Sequence, residues 1–594
     1  MLNNKTIDTD LCVVGGGLAG ICAAVSAARE GARVVLVHER PVLGGNASSE
    51  IRMWICGAVI QGGNKRETGI IEEIMLENYY RNPTKNFYIW DTVLYDFIKR
   101  EKNITLLLNC TCMDAETEKG NFDYGRSIHI KSIKAYQMTT QTFYTVNAKY
   151  YSDCSGDSIL APLTDAQYRL GRESAKEYGE DTHVEESDKM VMGMSCLLQA
   201  RETTQKVKFT PPEWSKRLSD EDVENRPMSV NVSGDNFWYL ELGGNRDTIH
   251  ETEDIKEELI SLSIGAWDYL KNNKKYGTDN DNWDLDFLGF LPGKRESRRM
   301  VGEYTVTQTD VCADKVYDDT VAFGGWPIDD HFPGGYYHKG SPNTNIMPPV
   351  PYCLPYRALY SKNVDNLFFA GRNISVTHYA LSSTRVMATC ALLGQAVGTA
   401  AAIAAKYNTA PHGVYTDHLQ ELKDTLMNND SFLPHFSRKI SPLCKKLGDS
   451  RLTDGIDRVN NIYNNDVCGI SSKNSEPIEY RFDKPEKINA VHIVFDSDLN
   501  RNTLPGGALC EKQYATRCNV ALDSPQTHLP TTLCKEFVLE AEIDGKTERL
   551  LYTDKNRKRS YHVAVDKPVT VLRLTPISNW GNDEYTNIFS FDFC

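Results

Sequence analysis

Gly15, Gly17 and Gly20 close the apolar stretch Thr9–Val14, and Glu39 follows a second apolar stretch, Ala32–Val37. Glycines at this spacing suit one task. The first permits a tight turn, the second lets backbone approach a pyrophosphate, and the third lets the next helix lie close to a sheet. At the helix start, around Leu18 and Ala19, unpaired N–H groups point at the phosphates. The Glu39 carboxylate can accept hydrogen bonds from both ribose hydroxyls and disfavours a 2′-phosphate, so NADP is not expected. Strand, turn, helix, second strand and terminal acid together read as a βαβ dinucleotide unit.

Two later stretches extend the pattern. Arg40 leads through Pro41-Val42-Leu43 into Gly44, Gly45 and Asn46, where paired glycines let the chain pass tightly beside a long ligand. Asn366–Asn373 reads as a buried strand ending at Gly371 and Arg372. Met387–Lys406 is a small-residue helix with Gly394 and Gly398 one turn apart. Such a helix can pack its backbone closely, and its N-terminal end favours an electron-rich group.

These segments resemble the FAD-dependent oxidoreductases of the glutathione-reductase-like superfamily, related to the fumarate-reductase flavoproteins. The resemblance is carried by Cys353-Leu354-Pro355-Tyr356-Arg357-Ala358-Leu359, by Asn366–Asn373, and by Ser375, Thr377-His378, Ser383 and Arg385-Val386-Met387. It continues through Gly394-Gln395-Ala396-Val397-Gly398. Gly293–Arg299 and Gly324–His331 also look like family segments, and the match spans roughly 9 to 405. The resemblance implies that Gly15, Gly17, Gly20 and Glu39 hold the ADP half of FAD. It implies that Gly45, Asn46, Gly371 and Arg372 lie along the pyrophosphate and flavin, with Gly394 and Gln395 near the pyrimidine side of the ring. Asp157 belongs to Asp153-Cys154-Ser155-Gly156-Asp157, similar to the turn that returns the chain to the flavin. Covalently flavinylated relatives carry a histidine in the loop after the glycine pair. None lies between Arg40 and Cys56 here, so non-covalent FAD is expected.

Flavin redox chemistry needs a substrate carbon near the ring and a group that manages one proton. His378 is the first candidate for that base, since its unperturbed pKa lies near working pH. The other reading is a histidine that only bonds the cofactor or caps a helix. Arg385 and Arg357 are candidates to hold a carboxylate or to stabilise reduced flavin, as are Arg295, Arg298 and Arg299 beside Glu296. At most two of these serve the site, and the rest form structural ion pairs. Asp329, Asp330, His331 and His338 match no metal signature, so no metal is expected, and His331 instead lines a pocket. Trp238, Glu241 and Gly243-Gly244 form either another pocket turn or a packed hairpin.

These groups must be positioned by an α/β fold. A Rossmann-like FAD-binding domain is expected in two parts, residues 1–164 and 351–410, split by a substrate-covering insertion at 165–350. The insertion includes a helix over Glu251–Leu270. A helical connector follows at 411–470. From 471 to 594, alternating runs such as Ile478, Tyr480, Phe482 and Val491, Ile493, Phe495 predict a β-sandwich. It resembles the galactose-binding-like, discoidin-type sandwich. It is either a carbohydrate-binding module, with Trp580 as stacking platform, or a packing or dimerisation domain, which leaves a homo-oligomer open.

The 594 residues carry a formal net charge of -14, which gives no basic footprint for nucleic acid. The 16 cysteines contain no CxxC pair and read as reduced and packed. The polar N-terminus runs directly into the first strand with no leader pattern, and Ala391–Ala405 is short for a bilayer span. A cytoplasmic protein without a membrane span is expected, with export open where a leader has been removed. The leading expectation is an FAD-dependent dehydrogenase oxidising a hydroxyl of a sugar, glycoside or polyol. The alternatives are a reductase of an activated double bond in a carboxylated substrate and a non-catalytic flavin protein. The partners are a small-molecule substrate and an electron acceptor of unassigned kind: a quinone, a carrier protein or a carbonyl compound.

Overall fold

The computed structural model describes residues 2–59, 65–181, 184–230, 236–273, 280–459, 468–505, 513–514 and 519–594. Strands β1 (Asn3–Val14), β2 (Val34–Val37) and β3 (Ile104–Leu107) run parallel in the order β3-β2-β1. Leu11–Val14 and all four residues of β2 are buried, as expected of parallel strands covered on both faces. A meander follows, β4 (Cys110–Lys119) to β5 (Ile128–Gln137) to β6 (Thr142–Asp153). β6 closes onto the free side of β1 in parallel. β7 (Leu367–Phe369) then pairs in parallel with Tyr151–Asp153 at the end of β6. The two parts of the nucleotide-binding domain thus share one sheet, and the ends of β1 and β6 carry the turns that line the cofactor cleft.

Helix α1 (Leu18–Arg29) leaves the first glycine turn, and α2 (Met387–Tyr407) lies against it. A methyl group at Gly394 would collide with the Ala19 carbonyl oxygen, and one at Gly398 with that of Ala23. Ser26 and Thr399 hydroxyls meet at 2.8 Å across the same interface. The small residues of α2 therefore serve helix-to-helix contact. Among the described residues α2 is the one helix long and apolar enough to cross a membrane, and it is buried in the core.

The insertion has a second core built on Met194, Leu198, Phe237, Ile255, Leu259 and Trp267. Its long helix, Thr252–Asn272, matches the expected one. Val306, Val311 and Val321–Phe323 instead pack into the first core. The C-terminal region is a six-stranded antiparallel sheet, consistent with a β-sandwich, whose longest strands are Ile478–Phe495 and Ser560–Asn579. It is joined to the first domain by Arg501–Glu72, a buried ion pair, and by Arg557–Glu77, and to the stretch after that domain by the buried pair Arg559–Asp430. Trp580 does not offer a free stacking face. Its indole N–H donates to Asn556 O, and Tyr80 and Lys535 pack on its ring at centroid distances of 5.7 and 5.4 Å.

Candidate active site

A cleft of about 340 Å³ runs from the first glycine turn to the insertion. Its nucleotide end is lined by Gly15 to Ala19, Glu39, Arg40, Gly44 to Asn46, Cys154 to Gly156, and Gly371 and Arg372. Gly15 has φ +109° and its missing Cβ makes room for the Cys154 backbone. Gly17 faces open space, with Gly45 Cα at 3.9 Å the nearest atom to an added Cβ. The two glycine turns lie backbone to backbone, and Gly44 N–H donates to Gly16 O at 2.8 Å. His38 fixes them. Its Nδ1 accepts from Gly16 N–H at 3.0 Å, which leaves Nε2–H to donate to Val42 O at 3.0 Å. Burial, with Arg40 beside it, outweighs the pull of Glu39 and lowers the His38 pKa to about 4, so the ring is neutral.

The residues present fit FAD. Arg40 Nε and Nη1 and Arg372 Nε are buried donors without a hydrogen-bond partner, at the end of the cleft that an anionic pyrophosphate would fill. Asp157 stands behind them. It binds Arg372 Nη2 at 2.8 Å and Lys294 Nζ at 2.7 Å. Burial opposes its charge, but these two cations hold its carboxyl below the usual range.

The other end is lined by Met53, Trp54, Cys56, Trp238, Trp326, His331, Asn343 and Asn345, with Lys294, Arg295, Asp329 and Arg385. His331 Nδ1 donates to Glu241 Oε2 at 2.6 Å, and its Nε2 lies 3.3 Å from Asp329 Oδ2. The Trp238 ring stands edge-on to it at 5.1 Å. Arg385 Nη2 donates to Asp329 O and Oδ2 at 3.0 and 3.2 Å, and its Nε has no partner. Arg295 Nη2 donates to Trp238 O at 2.8 Å and Nη1 to Ser195 Oγ at 3.0 Å. Burial works against both the Arg295 charge and the Glu241 charge; Arg295 and His331 nevertheless keep the Glu241 carboxyl below its ordinary pKa.

Several expected site residues lie elsewhere. His378 is buried and does not line the cleft. Its Nδ1–H donates to Glu296 Oε2 at 2.8 Å and its Nε2–H to Asp330 Oδ1 at 2.9 Å. Burial disfavours its charge, but the two carboxylates more than offset this and raise its pKa to about 10. A ring with both nitrogens protonated has no lone pair for a substrate proton, so the expected base role is corrected. Arg357 also misses the cleft and pairs with the buried Asp319 at 2.9 and 3.1 Å. Gln395 caps the helix Ile70–Arg81, accepting from Ile70 N–H at 2.9 Å, and Gly394 packs on Ala19; neither lines the cleft. Arg385 does line it, although it ends the short helix His378–Thr384 and does not begin α2. His338 stacks on Phe332 at 4.1 Å, apart from His331. The histidine at this end of the cleft, His331, is expected from the sequence only to line a pocket. Its partner Glu241 comes from a distant turn, a pairing that no local spacing announces.

A Rossmann-like domain with paired glycine turns, a ribose-side acid and buried arginine N–H groups left without hydrogen-bond partners defines a dinucleotide-binding protein. Residues 10–426 match the family model described as FAD dependent oxidoreductase, and the chain belongs to that family. It is an FAD-dependent oxidoreductase. No curated protein matches it. Among solved structures it is similar to a geranylgeranyl bacteriochlorophyll reductase-like protein from Thermoplasma acidophilum, at 11% identity over 72% of this chain and 84% of that one, TM-score 0.30. It is similar to E. coli quinol fumarate reductase at 12% identity, over 72% of this chain and 75% of that one, TM-score 0.28. It is also similar to L-proline dehydrogenase from P. horikoshii at 14% identity, over 71% of this chain and 60% of that one, TM-score 0.22.

Proposed function

We propose that the protein oxidises a hydroxyl of a neutral sugar or polyol, with His331 as the base. One observation carries this reading: His331, tethered to Glu241, lies on the cleft wall beside Trp238 and next to Asp329. With Nδ1–H committed to Glu241, Nε2 is the nitrogen left to take a substrate proton, once its 3.3 Å contact with Asp329 Oδ2 gives way to the substrate hydroxyl. A substrate O–H donating to Nε2 passes its proton there as the C–H bond breaks and the carbonyl forms. The resulting imidazolium is stabilised by Glu241 on one side and by Asp329 on the other. FAD, when bound, supplies the chemistry of accepting the hydride.

Charge balance at this end favours a neutral substrate. Lys294 pairs with Asp157, Arg295 with Glu241 and Arg385 with Asp329. A substrate carboxylate would find each of these cations already matched. Three tryptophans with Asn343, Asn345 and Asp329 instead suit a ring with an apolar face and several hydroxyls. FAD is held without a covalent bond. In support, the ring nitrogens of His38 are both engaged and Nδ1 of His331 is committed to Glu241.

The test is anaerobic bleaching of bound FAD by a panel of neutral hexoses, pentoses and polyols, with acid precipitation to release the flavin. Bleaching by members of the panel, with yellow supernatant, is expected. No bleaching by any of them, with reoxidation of chemically reduced enzyme by carboxylated enoates, would overturn the proposal in favour of double-bond reduction.

A further inference from the structure

We propose that His378 is a positioning residue: its buried ring sets the geometry of three cleft-lining segments at once and takes no part in proton transfer. The inference rests on the reading of His331 given above.

The first segment is the strand Ile328–His331. Side chains alternate along a strand, so a residue held on one face directs its two neighbours to the other. His378 holds Asp330 on the inner face. Asp329 and His331, one residue to each side, both line the cleft. The second segment is Gly293–Arg295, which lines the cleft and continues into Glu296, the other partner of the ring. Glu296 also accepts from Met192 N–H at 3.0 Å and pairs with Arg299. The third is the helix His378–Thr384, which ends at Arg385. Its first residue is pinned twice, through the ring and through His378 N–H, which donates to Glu173 Oε2 at 2.9 Å. Thr377 caps this helix and donates to Glu180. Asp329, His331, Arg295 and Arg385 therefore take their places from one imidazolium.

The charged and titratable groups facing this centre are the carboxylates of Glu296, Asp330, Glu173 and Glu180 and the cations of His378 and Arg299, with Arg172 near Asp330. Replacing the ring by a neutral amide removes the cation that Asp330 and Glu296 share and leaves Glu296 with Arg299. Asp330→Asn is milder, since it keeps the shape and an acceptor for Nε2–H.

The full chain loaded with FAD is labelled with ¹⁵N in its histidine rings. In the wild type, one ring absent from His378→Gln keeps both nitrogens protonated from about pH 6 to about pH 9, beyond the ordinary histidine range. The His331 signals, assigned by their loss in His331→Gln, shift or broaden in Asp330→Asn, although the carboxylate removed does not touch that ring. With the sugar or polyol that bleaches FAD fastest as probe, Asp330→Asn lowers kcat by about 100-fold, as expected of a misplaced base. It leaves FAD content and KM unchanged. Unchanged His331 signals, or an unchanged kcat, in Asp330→Asn would overturn the proposal. So would a doubly protonated ring that titrates between those pH values. Should no sugar bleach the flavin, the functional reading falls while the ring spectra still decide this one. Asp330→Asn serves equally if His378→Gln fails to fold.

Discussion

His378 Nε2 lies 2.9 Å from Asp330 Oδ1, and His331, the next residue along that strand, faces the opposite way into the cleft with its Nδ1 2.6 Å from Glu241 Oε2. Two histidines thus sit against two carboxylates each, but only one of them reaches the substrate end. The wall between them is a single strand.

Removing the cleft histidine separates binding from chemistry. His331→Gln keeps its FAD, because the nucleotide end is untouched. Turnover falls by about 10²- to 10⁴-fold, the usual worth of a positioned base. Flavin absorbance per protein and the initial rate of anaerobic bleaching measure the two effects on one sample. A variant that bleaches at the wild-type rate would dismiss the base assignment.

The glycines of the first turn are not equivalent. A methyl at Gly20 would collide with the Gly15 carbonyl oxygen, so Gly20→Ala costs about 1–3 kcal/mol or more in overpacking. It lowers Tm even without cofactor. Gly17 has room for a methyl, so Gly17→Ala folds with an apoprotein Tm near wild type. It loses FAD because the methyl fills the space the pyrophosphate needs. Thermal melts with and without added FAD distinguish the two.

Acid releases FAD through His38. Its Nδ1 must stay unprotonated to accept from Gly16 N–H, and its folded pKa is lowered to about 4. The stabilisation it gives is complete above its ordinary pKa of about 6.5 and disappears as pH falls through its folded value. Flavin fluorescence appearing in solution near that lower pH is expected. His38→Asn, whose side chain does not titrate, abolishes this pH dependence.

Alkali acts through the other buried ring. The His378 pKa is raised to about 10, so its contribution to stability is complete below about pH 6.5 and is lost as pH rises through that raised value. Chemical denaturation of the wild type at rising pH shows a loss that His378→Gln, already destabilised, does not share. Parallel curves for the two proteins would contradict the charged state of the ring.

Arg357→Gln tests the opposite case. It strands Asp319, a fully buried carboxylate, and lowers stability by about 1–3 kcal/mol. Bleaching per bound flavin is unchanged, because Arg357 does not reach the cleft.

The nucleotide end was legible in the residues because its signal is local. Glycine spacing determines a turn within a few residues, and Gly15, Gly17, Gly44, Gly45, Arg40 and Arg372 all line the cleft. The helix Thr252–Asn272 and the alternating C-terminal strands were legible for the same reason, since periodicity belongs to the segment itself. Gly394 and Gln395 were misjudged because small size and polarity say nothing of which neighbour a helix face will meet. Here those neighbours are Ala19 and Ile70. Trp580 likewise is partly covered, by Tyr80 and Lys535.

By itself, the order of residues determined a glycine turn shaped for a dinucleotide at the end of the first strand and a second part that returns to the same sheet. Only the tertiary structure decided that His331 lines the cleft and His378 does not. That choice depends on Glu241, Glu296 and Asp330, which lie 90, 82 and 48 residues from the rings they hold. Ring orientation and proton affinity are set by whichever charges the fold brings within a few ångströms, and separation along the chain carries no trace of them.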